Sequence, residues 1–190
     1  MLTLLIRMEV VMNKISKVAQ FIRFYLWIYI VISLVFHFLS RAYYLHFPWF
    51  DIQLDRNLAE ISVDFFRLPL WQRLLVAFVA FPKTLLKALA AWNLAKLMTC
   101  YKKEEYFTEK TSRCLQYVGI FALSSEVGEI LLQIPETYCL TFRNPVGQRL
   151  ISISLSDEQI TSIILSSVII LIGWVMKKAA IFQKKAAETI

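Results

Sequence analysis

Four ionisable residues stand inside stretches that are otherwise apolar: Lys83 and Lys87, then Glu126 and Glu129. The lysines are four positions apart and the glutamates three, so on helices each pair shares one face. Opposite charges on two facing helices allow two kinds of chemistry. They can satisfy one another as interhelical ion pairs, which admits polar groups to a bilayer and locks the register of the helices. They can also form a pathway for protons or ions, a role that intramembrane charges often mark. Opposite signs satisfy each other, which favours the lock; in a third reading Lys83 and Glu129 reach the outer surface by snorkelling. On an antiparallel hairpin with a rise of about 1.5 Å per residue, Lys87 and Glu126 come out about 15 and 16 Å deep, and Lys83 and Glu129 about 21 Å. The expected pairs are therefore Lys87 with Glu126 and Lys83 with Glu129.

Other reactive constellations lack their parts. Cys100, Cys114 and Cys139 form no C-x-x-C, so neither a thiol relay nor a Cys-cluster zinc site is spelled out. His37 and His46 have no ligand-spaced partner, and His37 reads as a helix-packing residue. Glu126-Val127-Gly128-Glu129 has no histidine near it, and Ser124-Ser125 has no positioned base. The four glycines, Gly119, Gly128, Gly147 and Gly173, are too scattered for a phosphate loop. Trp27, Trp92 and Trp174 read as packing or interfacial residues. The expectation is a protein without catalytic residues, metal or cofactor.

The elements that must hold the charges are membrane spans. Of 190 residues 58% are hydrophobic and 18% charged, and the apolar residues fall into blocks. A soluble domain carries about 25% charged residues, so a bilayer is the natural solvent. The net charge of +7 comes from Lys and Arg flanking those blocks, which fits orientation signals and not direct nucleic-acid binding. Spans are expected at about 21–39, 74–97, 115–134 and 160–176. Pro82 predicts a bend near Phe81 in the second. Ser156-Asp157-Glu158-Gln159 opens the fourth as a capping box. Residues 1–15 read as a cytoplasmic lead-in, the first eleven disordered or upstream of the true start, with Met1, Met8 and Met12 as alternative starts; residues 16–190 form one four-span domain.

Orientation follows from the loops. The N-terminal segment, the middle loop and the C-terminal tail hold thirteen Lys and Arg, from Arg7 to Lys185, whereas the other two loops hold six. The positive-inside bias then places both termini in the cytoplasm. On the other side, Tyr138–Phe142 and Leu150–Leu155 are β-prone runs around Asn144-Pro145-Val146-Gly147, a hairpin signature. Residues 61–66 are a further strand or an interfacial helix packed on that hairpin. The expected architecture is an all-α integral membrane protein, four transmembrane helices with a small extracytoplasmic cap containing a β-hairpin.

Between spans two and three, Thr108 is placed to cap the third helix, with Phe107 packing back as a hydrophobic staple. The run Leu94-Ala95-Lys96-Leu97, then Glu105-Tyr106-Phe107-Thr108-Glu109-Lys110 and Cys114-Leu115-Gln116-Tyr117-Val118-Gly119, resembles the hallmark of a bacterial membrane family catalogued as domain-of-unknown-function family 2975. The terminal Thr189-Ile190 also resembles it. The resemblance covers about residues 16–190. The chain departs from it at Tyr106, where the family has Gly, and at Lys184-Lys185-Ala186-Ala187-Glu188, where the family has an acidic run. It implies four spans, a cytoplasmic middle loop, the bacterial inner membrane and a small helix-turn-helix regulator or membrane partner. The leading expectation is a non-enzymatic regulatory or accessory protein; the alternative is a small transporter or channel component using the Lys/Glu layer.

Overall fold

The computed structural model describes the backbone of residues 2–43, 68–103, 108–145, 149 and 151–188, and side chains within 16–39, 68–103, 108–145, 149 and 151–185. Four helices carry it: α1 (Leu2–Tyr43), α2 (Leu70–Lys102), α3 (Glu109–Thr141) and α4 (Asp157–Glu188). Each contains a stretch long and apolar enough to cross a bilayer. The chain has the architecture of a multi-pass membrane protein.

The helices overrun the expected spans at every end. A 33-residue helix is about 50 Å long, against about 30 Å of hydrocarbon. The cause is that hydropathy ends before helix propensity does. Neither Gly nor Pro falls within Leu2–Tyr43, so nothing interrupts α1, and the backbone is helical from Leu2 where disorder was expected. Past Lys177-Lys178, the residues of α4 are mostly Ala, Lys, Gln and Glu, all good helix formers. The starts are set by side chains. Thr108 accepts from the Thr111 backbone N–H at 3.2 Å. At Ser156 both bonds of a capping box are present: Gln159 N–H to Ser156 Oγ at 3.2 Å and Ser156 N–H to Gln159 Oε1 at 3.0 Å.

The β-hairpin is a correction. Tyr138–Thr141 continues α3, and no strand occurs among the described residues. Tertiary context overrides β propensity here. Thr137 and Thr141 turn their hydroxyls back into the helix, to the carbonyls of Gln133 (2.7 Å) and Thr137 (2.9 Å). Gln72, fully buried on α2, donates through Nε2 to the carbonyls of Cys139 (2.9 Å) and Leu140 (3.2 Å), which lie in the last turn of α3. Residues 151–156 are irregular and lie along α3, where Ser152 N–H reaches Thr137 Oγ1 (3.4 Å) and Ser154 N–H reaches Gln133 Oε1 (2.7 Å). Two extended residues advance about 6.6 Å and four helical ones about 6 Å, so alternate N–H groups meet acceptors one helical turn apart. The alternation at 151–155 thus sets a segment on a helix, with Ile151, Ile153 and Leu155 turned outward. Residues 61–66 and Phe107, to which a strand or helix and a staple were assigned, lie outside the described residues.

Among the described residues each helix packs on its neighbours in sequence and on no other: α1 on α2, α2 on α3, α3 on α4. The described helices therefore form an open row and not a closed bundle. The α1–α2 seam is built from Ile30, Ala88 and Ala91 with Leu26 and Leu34 packed against them, and from Trp27 edge-on to Trp92 at 4.8 Å. On α2, Thr84 and Ala88 face α1, whereas Lys83 and Lys87 face α3. The two stripes are one residue out of step, about 100° around the helix.

Candidate functional site

The charged layer lies in the α2–α3 seam. Lys87 Nζ is 2.7 Å from Glu129 Oε2 and 3.8 Å from Glu126 Oε1. Lys83 Nζ is 3.3 Å from Glu136 Oε1, and both of those side chains are buried. The structure thus brings Lys87 to both expected glutamates, gives Glu129 to Lys87 where Lys83 was expected, and sends Lys83 to Glu136, a residue the depth argument left outside the third span. Each lysine's strongest partner sits farther toward the C-terminal end of α3 than depth counting gave, by one turn for Lys87 and two for Lys83. Side chains tilt toward the N-terminus of their helix. On antiparallel helices, the long Lys stem therefore carries Nζ toward the C-terminal half of α3. Counting Cα depths omits that reach. Glu136 was legible by another route: Glu129, Gln133, Glu136 and Leu140 step by four, three and four along one helix face.

Polar groups continue around the Lys83–Glu136 pair. Gln72, Gln133, Thr137 and Thr141 are all buried toward that end of the seam. Most are already engaged with backbone, as described above, so they act as caps and anchors. His37 lies on the other side of α2. Its Nε2 is 3.0 Å from the Ala77 carbonyl and its Nδ1 2.9 Å from Thr84 Oγ1. A carbonyl only accepts, so Nε2 carries the proton, and in the neutral ring Nδ1 accepts from the Thr84 hydroxyl. The bond falls beside the carbonyl of Phe78, which Pro82 deprives of its helical N–H donor. Both ring nitrogens are occupied with α1–α2 contacts, a packing arrangement.

The α3–α4 seam is steric. A Cβ added to Gly119 would sit 2.6 Å from Ile170 Cγ1 and 3.0 Å from both Ile170 N and Ser166 O. At Gly173 it would sit 2.7 Å from Gln116 Cγ and 3.1 Å from Gln116 N. Two glycines, one on each helix, let the backbones approach as small residues do in membranes. Gly128 is different, with only Leu86 Cδ1 nearby at 3.8 Å.

Chemically, the arrangement offers charge pairing and little else. Among the described residues no three His, Cys, Asp or Glu side chains converge as metal ligands. Thr108 caps α3, as its hydrogen bond shows, and is followed by an exposed Glu109–Arg113 pair at 2.6 Å. Compared with protein-family models, with curated proteins and with solved structures, the chain matches none.

Proposed function

We propose that the chain is a non-enzymatic accessory or regulatory protein of the bacterial inner membrane, with both termini in the cytoplasm, acting through a partner. The observation that carries this reading is the open row: among the described residues each helix packs only on its sequence neighbours, an arrangement without a closed bundle around a path. The paired lysines fit the same role, because a charge satisfied within the seam fixes α2 against α3. Orientation rests on the thirteen-to-six imbalance of loop Lys and Arg. The resemblance to family 2975 supplies a partner class, a small cytoplasmic helix-turn-helix regulator or a membrane protein.

The test is affinity purification of the C-terminally tagged chain from gently solubilised native membranes. A stoichiometric partner supports the reading, and a partnerless homo-oligomer overturns it. A second reading, a transporter or channel component, is favoured by one observation: three carboxylates, Glu126, Glu129 and Glu136, face two lysines. Under that reading Glu129→Gln abolishes ion or proton flux in vesicles while the protein stays folded; under the accessory reading the partner still co-purifies.

A further inference from the structure

The α3–α4 seam ends in a basic group beside exposed rings. Gln116 stands against Gly173, so Arg113, three residues before Gln116, is level with Met176, three residues after Gly173. Lys178 is two residues on, about 3 Å along the axis. Both cations lie on one side of the seam. At about 100° per residue, Arg113 is about 90° around α3 from the stripe of Gln116 and Gly119 that meets α4. Lys178 is about 110° around α4 from the stripe of Ser166, Ile170 and Gly173, in the same rotational sense. On antiparallel helices equal senses turn both residues to the same side. Glu129 and Glu136, which meet α2, lie about 120° round α3 in the opposite sense. The group therefore faces away from α2, and Arg113 and Lys178 are both exposed.

On the same side, toward the middle of the helices, come Tyr117 and Trp174, 50% and 61% exposed, and then Ile120 and Leu171. Both rings carry a polar tip, as side chains at headgroup depth do. The apolar run of α4 ends at Met176, directly before Lys177-Lys178. Within residues 109–117 and 174–185 stand six cations, Lys110, Arg113, Lys177, Lys178, Lys184 and Lys185, against one carboxylate, Glu109, which holds Arg113 Nη2 at 2.6 Å. A guanidinium has several N–H donors, so that bond leaves others for a second acceptor. The preceding Lys102-Lys103-Glu104-Glu105 adds no net charge.

We propose that this side of the α3–α4 seam binds one anionic phospholipid, its phosphate between Arg113 and Lys178 and its acyl chains along Tyr117, Trp174, Ile120 and Leu171. The ligand goes beyond the accessory reading and depends neither on it nor on which leaflet this end occupies. Charge and depth choose the occupant. A net positive group at the end of a span attracts an anionic headgroup, and the apolar surface that continues from it lies at the depth of the acyl chains. A second copy presenting the same face would oppose cation to cation. An acidic soluble protein would meet the cations and leave the rings and Ile120 uncovered.

The test uses the full-length purified chain in phosphatidylcholine vesicles holding a minor fraction of brominated lipid, either phosphatidylglycerol or phosphatidylcholine. Brominated chains quench tryptophan on contact, and the share due to Trp174 is the difference between the chain and Trp174→Phe. That share should show a roughly fivefold or greater preference for phosphatidylglycerol, the scale of one surface cation acting on an anionic lipid. Arg113→Gln with Lys178→Gln should abolish the preference, whereas Lys184→Gln with Lys185→Gln should keep most of it, with circular dichroism confirming that both fold. Equal quenching by the two lipids, or a preference that only the Lys184 and Lys185 variant removes, overturns the proposal. Inorganic phosphate should act no differently from sodium chloride of equal ionic strength; a loss of preference in phosphate alone would make the ligand a free anion and overturn it. An acidic protein that co-purifies with the chain and is lost from Arg113→Gln with Lys178→Gln, with no lipid preference, overturns it likewise. The two readings fail separately: a lipid preference without any co-purifying partner leaves this site standing and the accessory role without support.

Discussion

The two seams of α3 solve one problem in opposite ways. In a bilayer the hydrophobic effect does not press helices together, so contact must come from close packing or from polar bonds. Against α4 the chain uses close packing, with Gly119 under Ile170 and Gly173 under Gln116. Against α2 it uses charge, with Lys83 on Glu136 and Lys87 on Glu129 and Glu126. The steric seam fixes how near the helices come, because backbone stands against backbone. The ionic seam fixes which residue faces which, because a charge left without its partner at that depth is costly. An α3 held both ways has its distance set from one side and its register from the other.

The largest effect should come from breaking the buried pair. Lys83→Met removes the ammonium that stands 3.3 Å from Glu136, a carboxylate at 3% exposure, and should cost about 3–5 kcal/mol in unfolding of the detergent-solubilised protein. Lys83→Met with Glu136→Leu should recover most of that loss. A double variant no better than the single would remove the ionic seam's claim to set register. Next comes the steric seam. Gly119→Val should cost about 1–3 kcal/mol by overpacking, and Ile170→Ala should not rescue it, because Ser166 O and Ile170 N are backbone atoms at 3.0 Å. Full rescue would mean that side-chain bulk, and not backbone approach, defines that contact.

A smaller loss is expected at Gln133→Leu, which takes the acceptor from Ser154 N–H. About 1–2 kcal/mol should disappear, with faster hydrogen exchange at the Ser154 amide. Unchanged exchange would show that residues 151–156 are held by α4 and not by α3. The smallest effect carries the opposite sign. Gly128 has room for a Cβ, which would meet Leu86 Cδ1 at an ordinary 3.8 Å, so Gly128→Ala should stabilise by up to about 1 kcal/mol through helix propensity. A loss there as large as at Gly119 would show that the glycines do not differ as the geometry requires.

Much of the fold was legible because bilayer solvation writes itself into sequence. Four apolar blocks, the Thr108 cap and the Ser156–Gln159 box depend on residues near one another in the chain, and each has its element in the structure. Helix ends were less legible, since hydropathy stops where Ala, Lys and Gln still favour helix. The hairpin was misread for a different reason. The β-prone pattern at 138–142 and 151–155 is real, but Gln72 on α2, far away in sequence, holds the end of α3, and Gln133 and Thr137 supply the acceptors a strand would have supplied.

The sequence by itself determined that this chain carries four stretches apolar and long enough to cross a membrane, and that lysines on one helix must answer carboxylates on another. Charges at depth cannot stay unpaired, and their helical spacing is visible in one dimension. Only the tertiary structure decided that Lys83 takes Glu136, that Lys87 is shared by Glu126 and Glu129, and that the described helices make a row without closing. Those outcomes depend on the reach of a lysine stem and on the angle between packing stripes. Both are properties of helices placed side by side, which residue spacing along one chain does not contain.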